Sequence, residues 1–296
     1  VIAMARAANK LAASGTARMV AAFAKARREQ MGLTQEELGA LIGYTASAIS
    51  AMETCAQPAS DKMLMELERV LGDGMNIFEM ARKFVLLDKY PPQFQDFALM
   101  EAESVTLSSY QTYVVDGLFQ TPDYARALIG GGFPKLPDAT VDELVDARIA
   151  RRSLFDRTEP IAMIELILDE AALLRTIGSR DIMSEQLYAL AEDAERDNVS
   201  LQVIRLNRGE KGPHAGTRGD MVLVTTSEHH HVVYLESQDE SVLVSDPVKV
   251  ARLTHRYAKI RSQALSPDDS VSLIQKLAGE ARNDQHPPMV QVELQQ

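Results

Sequence analysis

Over the first quarter of the chain, apolar positions recur at helical spacing and are punctuated by residues that start and stop helices. Thr34, with Glu37 three places on, forms a capping box that starts a helix at Gln35. Leu38, Leu41 and Ile42 then fall on one face, which the spacing predicts to be buried. Gly43 stands where that helix should end in a left-handed turn. Thr45 caps a second short helix whose apolar residues, Ile49 and Met52, face inward. Ala46, Ser47 and Ala48, and a turn later Ser50 and Ala51, are left outward. A leading helix at 18–30 and a closing helix at about 60–72 flank this pair, and residues 1–17 read as a loose or weakly helical extension.

Further along, the pattern changes from helices alone to helices mixed with short strands. One more helix runs from Ile77 to Asp88 and is stopped by Pro91-Pro92; another covers Phe94 to Ala102. Ser104 to Tyr113 is strand-like. Thr121 caps the next helix, with Pro122 at the first helical position, where its missing N–H costs nothing, and Asp123 at the positive end. A charged helix follows at Val141–Asp156, then a strand near Ile161–Leu168 and a helix at Ser184–Arg196. Strands are expected near Leu201–Leu206, Met221–Thr226 and Val232–Glu236, and helices at about Pro247–Leu265 and Pro267–Ala281. This alternation predicts a small mixed sheet covered by helices. The organisation expected is an extension (1–17), a helical domain (18–73), a helical connector (74–102), an α+β domain (103–281) and a tail (282–296).

Two short capped helices joined by a tight glycine turn are the sequence form of a helix-turn-helix, whose second helix enters the major groove of double-stranded DNA. The run Gly32-Leu33-Thr34-Gln35-Glu36-Glu37-Leu38, then Ile42-Gly43, Thr45 and Ile49-Ser50, resembles the XRE family of bacterial repressor-type domains. The resemblance implies an all-α, lambda-repressor-like N-terminal domain. Its reading face is Thr45, Ala46, Ser47, Ala48, Ser50 and Ala51, with Gln35, Ser47 and Ser50 making polar contacts and Lys25, Arg28 or Lys62 meeting phosphates. Where family members commonly carry arginine or glutamine, this chain has Ala46 and Ala51, which offer only a methyl contact to thymine. Base-specific affinity per domain is therefore expected to be modest, and a homodimer presenting two domains would compensate.

A second block, Gly117-Leu118-Phe119-Gln120-Thr121-Pro122-Asp123-Tyr124-Ala125-Arg126-Ala127, is similar to a signature of XRE regulators from filamentous actinobacteria, including WhiJ-like developmental regulators. The similarity continues at Asp146-Ala147-Arg148, Arg151-Arg152, Leu168 to Leu173, Met183 to Leu187, Val232 to Glu236 and Ala264 to Ser270. Asp116 replaces the proline usual before Gly117, which is expected to loosen a turn. The resemblance implies a transcription regulator whose C-terminal domain answers to a small protein encoded nearby, in an antitoxin-like arrangement.

Charge is unevenly distributed. Residues 1–90 hold 11 basic and 10 acidic side chains, against 20 and 32 in the rest. An acidic bulk suppresses non-specific attraction to phosphates, so DNA contact should be confined to the N-terminal part. The single cysteine, Cys55, excludes an intrachain disulfide and points to a reducing cytoplasm. No apolar run reaches membrane-spanning length, and Val1 to Ser14 lacks the apolar core of a secretion signal, so no membrane partner is expected.

No residue set suggests catalysis, a cofactor or a metal site. Alternation along a strand would leave only His229 and His231 of the His229-His230-His231 run together, which is poor for zinc; a hairpin turn or partner-facing edge fits better. The glycine-bearing loop from Gly209 to Gly219 lacks a Gly-Lys-Ser/Thr ending and reads as a long flexible connection. Asp169 reads as a helix cap, Cys55 as a small packed side chain, and Gly130-Gly131-Gly132 as a hinge. The reading is a non-enzymatic, cytoplasmic, homodimeric DNA-binding regulator controlled by a small partner protein. Two others stay open: a sensor with a small-molecule effector in its α+β domain, and an interaction module with weakened DNA binding. A deep apolar cavity would favour the sensor; an exposed apolar patch would favour the protein partner.

Overall fold

The computed structural model describes residues 15–87, 90, 92–237 and 240–282, and they form two compact units that meet at Gln95/Asp96. In the first unit, α1 (Gly15–Gln30), α2 (Gln35–Ile42), α3 (Ala46–Glu53), α4 (Asp61–Leu71) and α5 (Ile77–Leu87) enclose one core. Its centre is Ala24, Leu38, Ile49, Leu64, Leu67, Leu71 and Phe78. Residues 15–17 of the expected extension are the first turn of α1, with Ala17 buried; the rest of the extension lies outside the described residues.

Both short helices are fixed by local chemistry. Thr34 and Glu37 make the reciprocal capping box, and Gly43 ends α2 at φ 75°. Thr45 caps α3 by accepting from the Ala48 N–H. One expectation is corrected: Leu41 is 50% exposed, and the buried stripe of α2 is Leu38, Gly39 and Ile42. Gly39 is buried because the chain returns directly over it. A Cβ there would lie 2.5 Å from the Tyr44 carbonyl oxygen.

Helix α6 (Pro92–Ala102) carries the boundary between the units. The second unit is α+β, built on a mixed six-stranded sheet in the order β3-β2-β1-β4-β5-β6. Strands β1 (Ser104–Gln111), β2 (Met163–Asp169) and β3 (Val199–Ile204) are parallel, while β4 (Met221–Thr226), β5 (His231–Ser237) and β6 (Glu240–Val244) continue antiparallel from β1. The parallel strands are joined through α7 (Pro122–Gly130), α8 (Asp138–Ala150), α9 (Glu170–Leu174) and α10 (Arg180–Asp193). Helix α11 (Pro247–Arg261) covers one sheet face, packing Val250, Leu253, Tyr257 and Ile260 on Tyr110, Ile167, Ile204, Met221 and Val233. Helix α12 (Pro267–Arg282) lies along α10 and closes the outer edge of β3, where the Val203 N–H donates to the Ser270 hydroxyl and the Val203 carbonyl accepts from the Leu265 N–H.

Candidate nucleic-acid interface

Helix α3 is held to α1 and α2 by a buried charged knot. The Arg28 guanidinium bonds both Glu53 oxygens, at 2.5 and 3.0 Å, and donates to the Leu33 carbonyl at 2.7 Å. Gln35 Nε2 donates to the same carboxylate at 2.8 Å. Burial would raise the Glu53 pKa, but the hydrogen bonds from Arg28 and Gln35 and the Arg28 charge outweigh it and hold the carboxyl below its ordinary value. Arg28 therefore does not meet phosphate: only 8% of it is exposed, and its donors are spent inside the domain. No local pattern signals this pairing, because Glu53 lies 25 residues away.

The expected reading residues have the following surroundings. Thr45 and Ser47 are exposed, while Ala46, Ala48, Ser50 and Ala51 are half-buried around them. Gln35 is half-buried, its amide oriented by Glu53. Lys25 is exposed and 3.9 Å from Glu29, and Lys62 is exposed in the first turn of α4. At the far end of α3 the Thr54 hydroxyl donates to the Ser50 carbonyl, and Cys55, buried at φ 55°, turns the chain away. The result is a short, capped helix with a narrow outward face of small side chains.

The second unit contains a cavity of about 870 Å³ beside α11, walled by Met100, Val232, Pro247, Val250 and Ala251 and rimmed by histidines. Among the described residues no group of three His, Cys, Asp or Glu could hold a metal ion. The run His229-His230-His231 is the expected hairpin turn: His229 has φ 61°, and His231 opens β5 with its Nδ1 3.0 Å from the Thr225 hydroxyl.

Compared with known families, residues 25–72 match the helix-turn-helix family, and residues 94–276 match the family described as Domain of unknown function (DUF5753). The chain belongs to the DUF5753 family. No curated protein matches it, and no solved structure does. The helix-turn-helix match supports a DNA-binding, transcription-regulating role for this DUF5753 protein. No described helix is long and apolar enough to cross a membrane.

Within the DUF5753 domain, the second sequence signature is a buried lock. Thr121 caps α7 with Pro122 at its start, as expected. Gln120 Nε2 donates to the Val115 carbonyl, and its Oε1 accepts from Arg148. Gln186, fully buried, accepts from the Thr121 N–H and donates to the Phe119 carbonyl. Arg151 pairs with both Glu101 oxygens at 2.6 Å. Asp116 does not loosen its turn: its carboxylate accepts from the Leu118 N–H, the Ser109 hydroxyl and Gln111. The glycine-bearing loop is also corrected, from flexible connection to anchored segment. A short 3₁₀ turn, Leu206–Lys211, opens it; Gln263 then binds Ala215 and Pro213, and Gly216 lies so close to Tyr110 that a Cβ would sit 2.1 Å from its hydroxyl. Asp169 caps α9 through the Ala171 N–H, as expected.

Proposed function

We propose that this chain is a cytoplasmic, homodimeric, repressor-like regulator that reads duplex DNA with α3 and receives its signal in the DUF5753 domain. The observation that carries the reading is the capped helix pair turning at Gly43, with Thr45 and Ser47 outward from a helix whose inner face is fixed by Ile49, Met52 and the Arg28–Glu53 pair. Ser47, Ser50 and Gln35 supply polar contacts, the methyl groups of Ala46, Ala48 and Ala51 meet thymine, Thr45 stands at the helix start, and Lys25 and Lys62 meet phosphates. Arg28 is left out of this set.

The test is a titration of the full chain with its own upstream duplex. Ser47→Glu puts a negative charge on the reading face at an exposed position, so binding should weaken at least about tenfold, the size of one lost base or phosphate contact. Binding unchanged by Ser47→Glu removes α3 as the reading helix.

Control by a small partner protein, in an antitoxin-like arrangement, is the reading that the actinobacterial resemblance supports. The cavity beside α11 favours the other, a small-molecule effector, because its size falls in the range of ligand sites and its wall is mainly apolar. Co-purification with the product of a neighbouring gene supports the first reading; operator release by a small molecule without that product supports the second.

A further inference from the structure

We infer that the outer flank of α11 docks an acidic polypeptide segment of another protein. The inference rests on the partner-protein reading of the DUF5753 domain and gives that partner a surface and a chemistry.

Lys249, Arg252, Arg256 and Lys259 recur at i, i+3, i+7 and i+10, so their side chains form one stripe about 15 Å long on α11. Lys249, Arg252 and Lys259 are exposed, and Arg256 is half-buried. No acidic residue stands between Asp246 and Asp268, so no side chain of α11 answers these charges. Elsewhere in the unit Arg126, Arg151, Arg152, Arg196 and Arg205 each meet a carboxylate, and Arg261, on the other flank of α11, meets Glu165. Among the described residues none of the four stripe cations forms an ion pair. Gln263, four places past Lys259, binds Pro213 and Ala215 and so brings the loop with exposed Lys211 and Arg218, against one acid, Glu210, to the end of the stripe. None of the four lines either cavity beside α11, so this surface is distinct from the small-molecule site. Cations kept aligned and unanswered in an acidic domain mark a face whose counter-charge is carried by a partner.

An acidic polypeptide fits that face better than the other polyanions at hand. Duplex DNA carries a charge every ~1.7 Å of its axis and would press many of them on a body whose acidic side chains outnumber its basic ones by 32 to 20. A short acidic segment meets only what lies within a screening length of about 10 Å, which here is the stripe. Val248, 78% exposed and four places before Arg252, adds an apolar contact that a polypeptide can use and a phosphate chain cannot. The chain's own acidic row, Asp138, Asp142 and Asp146 on α8, fits less well. Helix α8 leads to Arg151, which holds Glu101 of α6, and α6 stacks Phe97 on Tyr234, the sheet face opposite the one α11 covers. Joining α11 to α8 of another copy would link chains head to tail without closing a two-fold dimer.

The probe is a labelled peptide of two Glu-Ala-Leu-Ala-Glu-Ala-Leu repeats, titrated with the full chain by fluorescence anisotropy at about 50 mM salt. Binding is expected to weaken at about 200 mM salt, and to be at least about tenfold weaker when glutamine replaces every glutamate. Lys249→Glu with Arg252→Glu places acids at exposed positions near the start of α11, where negative charge suits the helix, and should weaken binding at least about tenfold. Lys259→Glu, at the other end of the stripe, repeats the test with a single change and should weaken it about threefold. Equal binding of both peptides, or equal binding of the acidic peptide to the parent and to charge-reversed chains of matching thermal unfolding, overturns the surface. A charge-reversed chain that binds its own upstream duplex at least about tenfold more weakly makes the stripe a DNA contact, and one whose sedimentation changes makes it a contact between copies; either overturns the acidic partner. Co-purification keeps the two readings apart. A neighbouring gene product retained by the charge-reversed chain removes the stripe and leaves the partner reading, while one retained by neither chain removes the partner reading and leaves the peptide site.

Discussion

Gly39 and Gly43 serve different needs in one short helix. Gly43 supplies a left-handed φ of 75°, while Gly39 supplies space, since a Cβ would press on the Tyr44 carbonyl at 2.5 Å. Gly39→Ala should therefore cost about 1–3 kcal/mol through overpacking against backbone, seen as a lower unfolding midpoint in urea. Gly43→Val should damage the fold because a β-branched residue resists positive φ, whereas Gly43→Asn should be tolerated better. The Arg28–Glu53 pair makes a sharper prediction. Arg28→Met leaves the buried carboxylate with Gln35 but without its Arg28 counter-charge and should cost about 3–5 kcal/mol, while adding Glu53→Met should recover much of the loss. Since the native environment holds Glu53 below its ordinary value of 4.5, its contribution is full above that pH and is lost as the pH falls through the lower native value. Acid unfolding of the parent should accordingly be steeper than that of Glu53→Gln, as followed by circular dichroism; equal profiles would contradict the role assigned to the pair.

At the scale of elements, much of the fold is written in short-range signals, because a cap needs only its own turn. Thr34 with Glu37, Gly43, Thr45, Thr121 with Pro122, and Asp169 all act within four residues, and each stands where the spacing places it. What could not be read depends on distant partners. Leu41 is exposed because Gly39 brings the returning chain against the neighbouring stripe, and Arg28 is buried because Glu53 meets it. Strand β6 is five residues long with Val242 exposed, so it carries too little pattern to be seen before β5 offers it a partner. The Gly209–Gly219 segment reads as flexible in sequence because its anchors, Gln263 and Tyr110, lie far off along the chain. Asp116 belongs to the same class, and Asp116→Ala should cost about 1–3 kcal/mol by leaving the buried Ser109 hydroxyl and Leu118 N–H without an acceptor. A denaturant midpoint equal to the parent's would show that the turn is held by other contacts.

For the whole molecule, the governing fact is an acidic chain, of net charge −11, carrying a near-neutral reading unit. Few phosphate-facing cations follow once Arg28 is committed to the interior, so the proposed reading draws its affinity from a small number of contacts, doubled in the proposed dimer. The measurement that tests this most directly is fluorescence anisotropy of the chain's own upstream duplex, titrated with the full chain and with Ser47→Glu at about 50 mM and about 200 mM salt. The account predicts saturable binding by the parent that weakens as salt rises, with Ser47→Glu at least about tenfold weaker at low salt and equally stable to heat. Duplex binding by Ser47→Glu as tight as the parent's, or none by the parent at low salt, would contradict it.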